Sequence, residues 1–377
     1  TAYEIGVRLV GSEMCIRDRY AHITGWGKSV PTATLTNDDL ATFMETTDEW
    51  IKTRTGISKR NISHVNTSEM ASVAAKHALA AAGIDGCELD LIILATASPD
   101  TLIPNIASTV QANIGATCGA FDINAACSGF LYGVGLASSM IKSGQNKKIL
   151  IIGAERLSFY LDWSRRETAV LFGDGAGAIV LEASDTPGGI LGYELNNDPE
   201  GRDILQSNFG TQMDRFDTDS LDFYIHINGQ DVFKRAIHGM GNLSHTVLEK
   251  CGMAIDDVDF VIPHQANERI IDTLVSRMKI PKEKAFVNIA DYGNTSAATI
   301  PIAICDALSQ GKIVAGQTIL SCAFGAGLTS AAMLLKWGER TTPINVSDAA
   351  LPACDKTALQ LIKPAVDYFL SKSDTAK

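Results

Sequence analysis

The chain has 377 residues, 46% of them hydrophobic and 20% charged, which is enough for one large domain or two to three ordinary ones. A formal net charge of −11 excludes a globally basic nucleic-acid footprint, and no apolar run reaches the roughly 18 residues of a membrane span. Eight cysteines, at 15, 87, 118, 127, 251, 305, 322 and 354, include no CxxC pair. That removes the zinc and dithiol-redox signatures and suits buried thiols in a reducing cytoplasm, with no secretory signal recognised.

Residues 1–19, TAYEIGVRLVGSEMCIRDR, resemble translated sequencing-adaptor read-through and are set aside from the fold. SEMASVAAKHALAAAG (68–83) predicts a helix capped by Ser68 and closed by Gly83. ELDLIILATAS (88–98) predicts a strand. FDINAACSGFLYGVGLASSMIKSG (121–144) predicts a strand running into a helix of small residues. KKILIIGAE (147–155) is a further buried strand, and FGDGAGAIVLEA (172–183) a glycine turn leading to another. The same plan then recurs. DVDFVIPHQAN (257–267), IADYGNTSAATIPIAICDALSQG (289–311), GQTILSCAFG (316–325) and FGAGLTSAAMLLKW (324–337) repeat it in order. Asp90 and Asp259 are 169 residues apart, and Asn124 and Asn294 are 170 apart. QANERIIDTLVSRMK (265–279) adds a helix with Ile270, Leu274 and Met278 on one face.

Strands alternating with helices predict an α/β fold with parallel sheets. Two fused halves are expected, over about 20–185 and 186–338, with functional residues where the strand ends of both halves meet. Residues 339–377 form a C-terminal extension with one amphipathic segment, Asp355 to Leu370. Leu359, Ile362, Val366 and Phe369 share a face there, with Asp355 as N-cap and Pro364 as a kink. This segment is expected to pack on its own subunit or a dimer partner, away from any catalytic tunnel.

Cys127 stands where strand becomes helix. A helix N-terminus lowers a thiol pKa and offers free N–H groups to an oxyanion. Alone, the pattern favours a buried cysteine in a small-residue helix. His264 ends the second copy's strand at the place of Ala95 in the first, and Asn294 opens the second small-residue helix. Each has a structural reading too, Asn294 as an ordinary N-cap. The other histidines, at 22, 64, 77, 226, 238 and 245, have no metal-ligand spacing. FGDGAG (172–177) is followed by a strand rather than a helix, so neither the dinucleotide nor the P-loop motif fits, and a tight turn is expected.

Together, ACSGF at Cys127, PHQAN at His264, GNTSAA at Asn294, TDEWIKTRTGI (47–57), FGDGAGA and AFGAG resemble the β-ketoacyl-acyl-carrier-protein (ACP) synthase III family over residues 20–338. The resemblance implies the thiolase-like fold, two duplicated α/β halves in an α-β-α-β-α core, and a cytoplasmic homodimer. It implies decarboxylative Claisen condensation of an acyl-CoA starter with malonyl-ACP through an acyl-cysteine, initiating fatty-acid synthesis. Both are substrates, and no cofactor or metal is implied. Cys127, His264 and Asn294 would be the triad, and the backbone N–H groups of Cys127 and Ala326 the oxyanion donors. CoA would meet Thr46, Trp50, Arg54, Arg166, Phe233, Asn267 and Phe324. ACP would dock on Lys234, Gln265, Ala266, Asn267, Glu268, Arg269 and Arg277. Ile103 would shape the acyl pocket from a dimer interface. Ala326 departs from the glycine of many relatives, and the extension departs from the family's length.

The same triad also serves specialised condensing enzymes or acyltransferases of secondary metabolism, which the extension keeps in view. Thiolase needs a second catalytic cysteine, and Cys322 lies inside an apolar strand. HMG-CoA synthase fits the motifs less well. A cysteine hydrolase with Cys-His-Asn order lacks its usual motif around the nucleophile.

Overall fold

A computed structural model describes residues 19–211 and 224–375, with side chains as far as Lys372. The segment set aside above lies, but for Arg19, outside the described residues. Five strands form the first sheet: β1 (Tyr20–Ser29), β2 (Leu91–Ala95), β3 (Gly119–Ile123), β4 (Lys148–Arg156) and β5 (Asp174–Ser184). Their spatial order is β1-β5-β4-β2-β3. β3, β2 and β4 run parallel, while β5 and β1 are antiparallel additions. The second sheet contains β6 (Gly189–Asn197), β7 (Phe260–Pro263), β8 (Thr318–Gly325) and β9 (Thr329–Lys336), in the order β7-β8-β9-β6. It repeats the pattern, with β7 and β8 parallel and β9 and β6 antiparallel.

The paired aspartates have one job in both halves. Asp90 accepts the N–H groups of Lys147 and Lys148 at the start of β4. Asp259 accepts that of Thr318 at the start of β8. Each carboxylate thus aligns a parallel strand pair where its ladder begins.

Helix α1 (Asp48–Thr55) packs through Ile51 in a cluster with Leu35, Leu40 and Trp163. Helix α2 (Thr67–Ala82) covers the outer face of the first sheet, and α3 (Gly129–Lys142) its inner face. Helices α4 (Gly229–Lys250) and α5 (Glu268–Arg277) cover the outer face of the second sheet, and α6 (Thr299–Ser309) its inner face. Phe130, Val134 and Ile141 of α3 share one core with Ile300, Ala303 and Ile304 of α6. That core also takes Ile93 and Ile151 from one sheet and Ile262 and Ile319 from the other. The result is the α-β-α-β-α layering of the thiolase fold.

Local details differ from the sequence reading. The cap of α2 is Asn66, whose N–H is accepted by Glu69, and Ser68 lies inside the helix. The glycines of FGDGAG belong largely to β5, which already begins at Asp174. Asp174 is fully buried and accepts from Ser63 and Ser158.

The extension leaves β9 and crosses back over the first half. Arg340 donates to the carbonyls of Ala81 and Thr24 and lies over the Trp26 ring. The N–H groups of Ile344 and Asn345 donate to Ala81 and Ala80, carbonyls at the open end of α2. Helix α7 (Ala358–Thr375) follows and continues through Pro364. Thr357 caps it in place of Asp355, exchanging hydrogen bonds with Gln360. Ile362, Val366 and Phe369 are buried, with Leu359 packed beside them, in a cluster with Ile51, Leu157, Trp163, Val170 and Phe172. Three of these, Leu157, Val170 and Phe172, also line the central cavity. The helix therefore backs the cavity wall of its own subunit, and the expectation that it packs away from the tunnel is corrected.

Removing residues 340–377 uncovers this cluster, whose large side chains each contribute roughly 1.5–3 kcal/mol when buried. The truncated chain is expected to melt several degrees lower and to bind an apolar dye. Its KM for acyl-CoA should rise more than its kcat falls. Thermal melts and starter titrations read both effects, and an unchanged melt would show that the helix supports nothing.

Candidate active site

A cavity of about 1080 Å³ opens between the halves. Its lining runs from the exposed Arg54 and Arg269 and the half-buried Trp50 and Phe233 down to three buried residues. These are Cys127, His264 and Asn294, at 8%, 2% and 6% exposure.

Cys127 sits in the turn Ala126–Ser128 between β3 and α3. Asn124 Oδ1 accepts the N–H of Ala126, which holds φ +46°, a conformation that costs a side chain about 1–2 kcal/mol. The second half repeats the device, as Asn294 Oδ1 accepts the N–H of Ser296, at φ +50°. That bond occupies the amide oxygen of Asn294 and leaves Nδ2, a pure donor, toward the cavity. Two cross-links fix the Cys127 turn to β9, from Thr329 Oγ1 to Ala125 O and from Ser128 Oγ to Thr329 O. Gly325 ends β8 so close that an added Cβ would lie 2.8 Å from the Cys127 nitrogen. Ala326 follows it in the cavity lining.

Burial dominates the electrostatics of the floor. It pulls His264 down to about 3, so the imidazole is neutral near pH 7. It pushes the Cys127 thiol up to about 12, against a hydrogen bond with Ser296 and with help from the Glu155 charge. The expectation of a lowered thiol pKa is overturned, because desolvation exceeds the pull of the helix start. Glu155, at the end of β4, is fully buried and raised to about 7 by the same cause. It accepts from Thr96, Ala97, Ser98 and Ser296. The sequence reading passed over it, although a carboxylate ending the apolar run KKILIIGAE was a visible signal.

The other expected residues divide. Trp50, Arg54, Phe233, Ala266, Asn267, Arg269, Phe324 and Ala326 line the cavity. Arg54 and Arg166 both stack on Trp50, 4.4 and 4.3 Å from its ring centre, and Arg166 also donates to Glu45 O. Thr46 and Arg166 stand outside the lining. Asn267 caps α5 and donates to Arg54 O. Arg269 lies over the Phe233 ring, with Lys234 and Arg277 exposed. Glu268 is half-buried beside Gly56. Gln265 offers no docking surface. It is 1% exposed, and its amide is spent on Pro263, Phe286 and Asn288, inside the fold. Ile103 is 90% exposed and does not line this chain's cavity. Cys322 is buried in the core under the outer helices, also away from the cavity. Among the described residues, no three His, Cys, Asp or Glu side chains converge on a metal position.

Residues 121–199 match the family profile of 3-oxoacyl-[ACP] synthase III, and residues 248–337 match its C-terminal profile. A β-ketoacyl-[ACP] synthase III 2 of Vibrio cholerae is 56% identical over 93% of this chain and 97% of its own. The crystal structure of 3-oxoacyl-[ACP] synthase III from Aquifex aeolicus superposes with a TM-score of 0.80 at 46% identity, covering 84% of this chain and 100% of its own. The priming β-ketosynthase of the R1128 polyketide pathway superposes with a TM-score of 0.81 at 31% identity, covering 85% of this chain and 97% of its own.

A thiol raised to about 12 should alkylate at a rate that climbs with pH and shows no plateau below pH 9. Iodoacetamide labelling of the free enzyme, followed on the Cys127 peptide by mass spectrometry, measures this. A plateau near pH 7 would mean a preformed thiolate.

Proposed function

The chain belongs to the β-ketoacyl-ACP synthase III family, and on that premise we propose how its residues carry out the condensation. It acts as a condensing acyltransferase of fatty-acid synthesis. The observation that carries the residue assignment is the floor of the cavity, where a buried thiol faces two neutral groups able to donate.

Cys127 Sγ attacks the carbonyl carbon of the starter acyl-CoA. The carbon–sulfur bond to CoA breaks, and the thiol proton ends on the departing CoA sulfur. Because thiol becomes neutral thioester, the dry floor never has to hold a lasting thiolate. The N–H groups of Cys127 and Ala326 hold the carbonyl oxygen during attack. Malonyl-ACP then replaces CoA. The bond to its carboxylate breaks, carbon dioxide leaves, and the electron pair becomes an enolate. His264 Nε2–H and Asn294 Nδ2–H donate to the enolate oxygen. A neutral His264 suits that task, since the imidazole need only donate a hydrogen bond. The carbanion attacks the acyl-cysteine carbonyl, the bond to Cys127 breaks, and the sulfur takes up one proton.

Trp50, with Arg54 and Arg166, is the platform for the CoA nucleotide, the ring for the base and the guanidinium groups for phosphate. Phe233, Asn267 and Phe324 line the approach, and Thr46 stands beyond it near Trp50. Arg269, Lys234 and Arg277, beside Ala266 and Glu268, form a local basic patch for the acidic ACP on an acidic enzyme. A homodimer is supported by β3, which lies at the open edge of its sheet, and by the exposed Leu102 and Ile103 beside it. Ile103 would then reach the partner's acyl pocket. The seven cysteines among the described residues are free thiols, which suits a reducing cytoplasm. A specialised starter role is the second reading. The R1128 priming enzyme shares the fold, and the extension backs the cavity wall. A panel of acyl-CoA starters, with product mass and carbon dioxide measured together, separates the two.

Cys127→Ser is expected to fold but to lose acyl-enzyme formation by at least 100-fold, within the range for covalent catalysis. His264→Ala and Asn294→Ala should keep acylation and lose most carbon dioxide release from malonyl-ACP. Normal decarboxylation by either variant would remove that residue from enolate stabilisation. Arg269→Glu should raise KM for malonyl-ACP about tenfold or more while sparing acyl-CoA use, with wild-type docking weakened by salt. Equal kinetics for the two proteins would place docking elsewhere.

A further inference from the structure

A neutral imidazole has one N–H and one lone pair, so only one tautomer of His264 can donate from Nε2 into the cavity. Its Nδ1 lies 2.7 Å from the hydroxyl of Thr299, the first residue of α6, and both residues are buried. The same hydroxyl is 3.0 Å from the carbonyl oxygen of Ser296. One proton serves one acceptor. The Ser296 carbonyl already accepts the backbone N–H of Thr299 and is satisfied without the hydroxyl. Nδ1 has no other hydrogen-bond partner among the described residues. With the proton on Nε2, Nδ1 is a buried lone pair whose one neighbour able to donate, among the described residues, is this hydroxyl. The donor tautomer would therefore leave about 1–3 kcal/mol of unmatched polarity unless Thr299 turns its proton to Nδ1.

The duplicated frame supplies independent support. Ala95 holds the place of His264 in the first half. Counting on from the matched asparagines, Gly129 holds the place of Thr299. These two also meet, as an added Cβ on Gly129 would lie 3.1 Å from Ala95 Cβ. One contact of the ancestral plan is thus bare in the half that carries the nucleophile, and polar on both sides in the half that carries the donors. A hydroxyl with only a helix-capping task has no reason to change together with the histidine.

We propose that Thr299 is a positioning residue that holds His264 in its Nε2–H tautomer, so that the imidazole meets the malonyl thioester oxygen as a donor. The inference rests on the assignment of His264 as a donor to that oxygen. Without the hydroxyl, Nδ1 can carry the proton, and the ring then presents a lone pair where the enolate needs a donor.

The test compares Thr299→Val, which keeps the shape, with Thr299→Ser, which keeps the hydroxyl. The valine variant should release carbon dioxide from malonyl-ACP about 10- to 100-fold more slowly, the usual range for loss of an orienting partner, through kcat rather than KM. Acylation of Cys127, read by mass spectrometry, should stay within about twofold, and the serine variant should recover most of the loss. Valine kinetics equal to wild type, or a serine variant as slow as valine, overturns the proposal. Nitrogen-15 spectra of histidine-labelled wild-type enzyme, with the His264 signal assigned by its loss in His264→Asn, give a readout free of any folding defect. Protonation on Nε2 supports the proposal, and protonation on Nδ1 overturns it. Normal decarboxylation by His264→Ala would instead overturn the donor assignment itself, so the two failures are distinguishable.

Discussion

An added Cβ at Gly153 would sit 2.2 Å from the carbonyl oxygen of Ala297, so strand β4 of the first half lies directly against the turn that follows Asn294. Nearby, Asn294 N–H donates to Leu171 O and Gly173 N–H to Asn294 O. This backbone-to-backbone contact between the halves is the constraint the site depends on. It brings the turn holding Cys127 and the turn holding Asn294 to one floor, where neither half alone has a complete set of groups. It also excludes water, since no side chain keeps the two backbones apart.

That exclusion explains the chemistry of the floor. In water a histidine is half charged near pH 6.5 and a thiol ionises near 8.5. Here the same groups stay a neutral donor and an intact thiol, because no solvent compensates a charge. Glu155 is the exception that belongs to the arrangement. Its donors include Ser296, which also bonds the Cys127 thiol, and they hold a carboxylate behind Cys127. Ser296 and Thr299, one turn apart, thus connect Cys127, Glu155 and His264 through two hydroxyl groups.

The extension acts on the same cavity from outside. The Vibrio cholerae relative aligns with 93% of this chain, more than residues 1–338 alone provide, so its match reaches into the extension. The Aquifex structure is covered completely by 84% of the chain. The strap over α2 and the helix behind Leu157, Val170 and Phe172 add to the cavity wall from outside its floor. Such an addition can alter the stiffness of a wall without altering the reacting groups.

Much was legible in the sequence because it was local or repeated. The period between Asp90 and Asp259 revealed the duplicated frame, since the same carboxylate must align the same parallel strands in each copy. Cys127, His264 and Asn294 stood out because strand ends and helix starts place side chains where sheets meet. The family motifs supplied their roles. Tertiary structure decided the rest. Gln265 sits among motif residues, yet its amide is consumed by Pro263, Phe286 and Asn288. Asn66 and Thr357 won their helix starts over Ser68 and Asp355 through the geometry of Glu69 and Gln360. Glu155 and Thr299 gain their meaning from neighbours up to 141 residues away. The thiol pKa moved opposite to the local expectation. Capping and periodicity are properties of a few adjacent residues, so a sequence displays them. Desolvation and hydrogen-bond competition are sums over everything packed around a group, and only the folded chain carries out that sum.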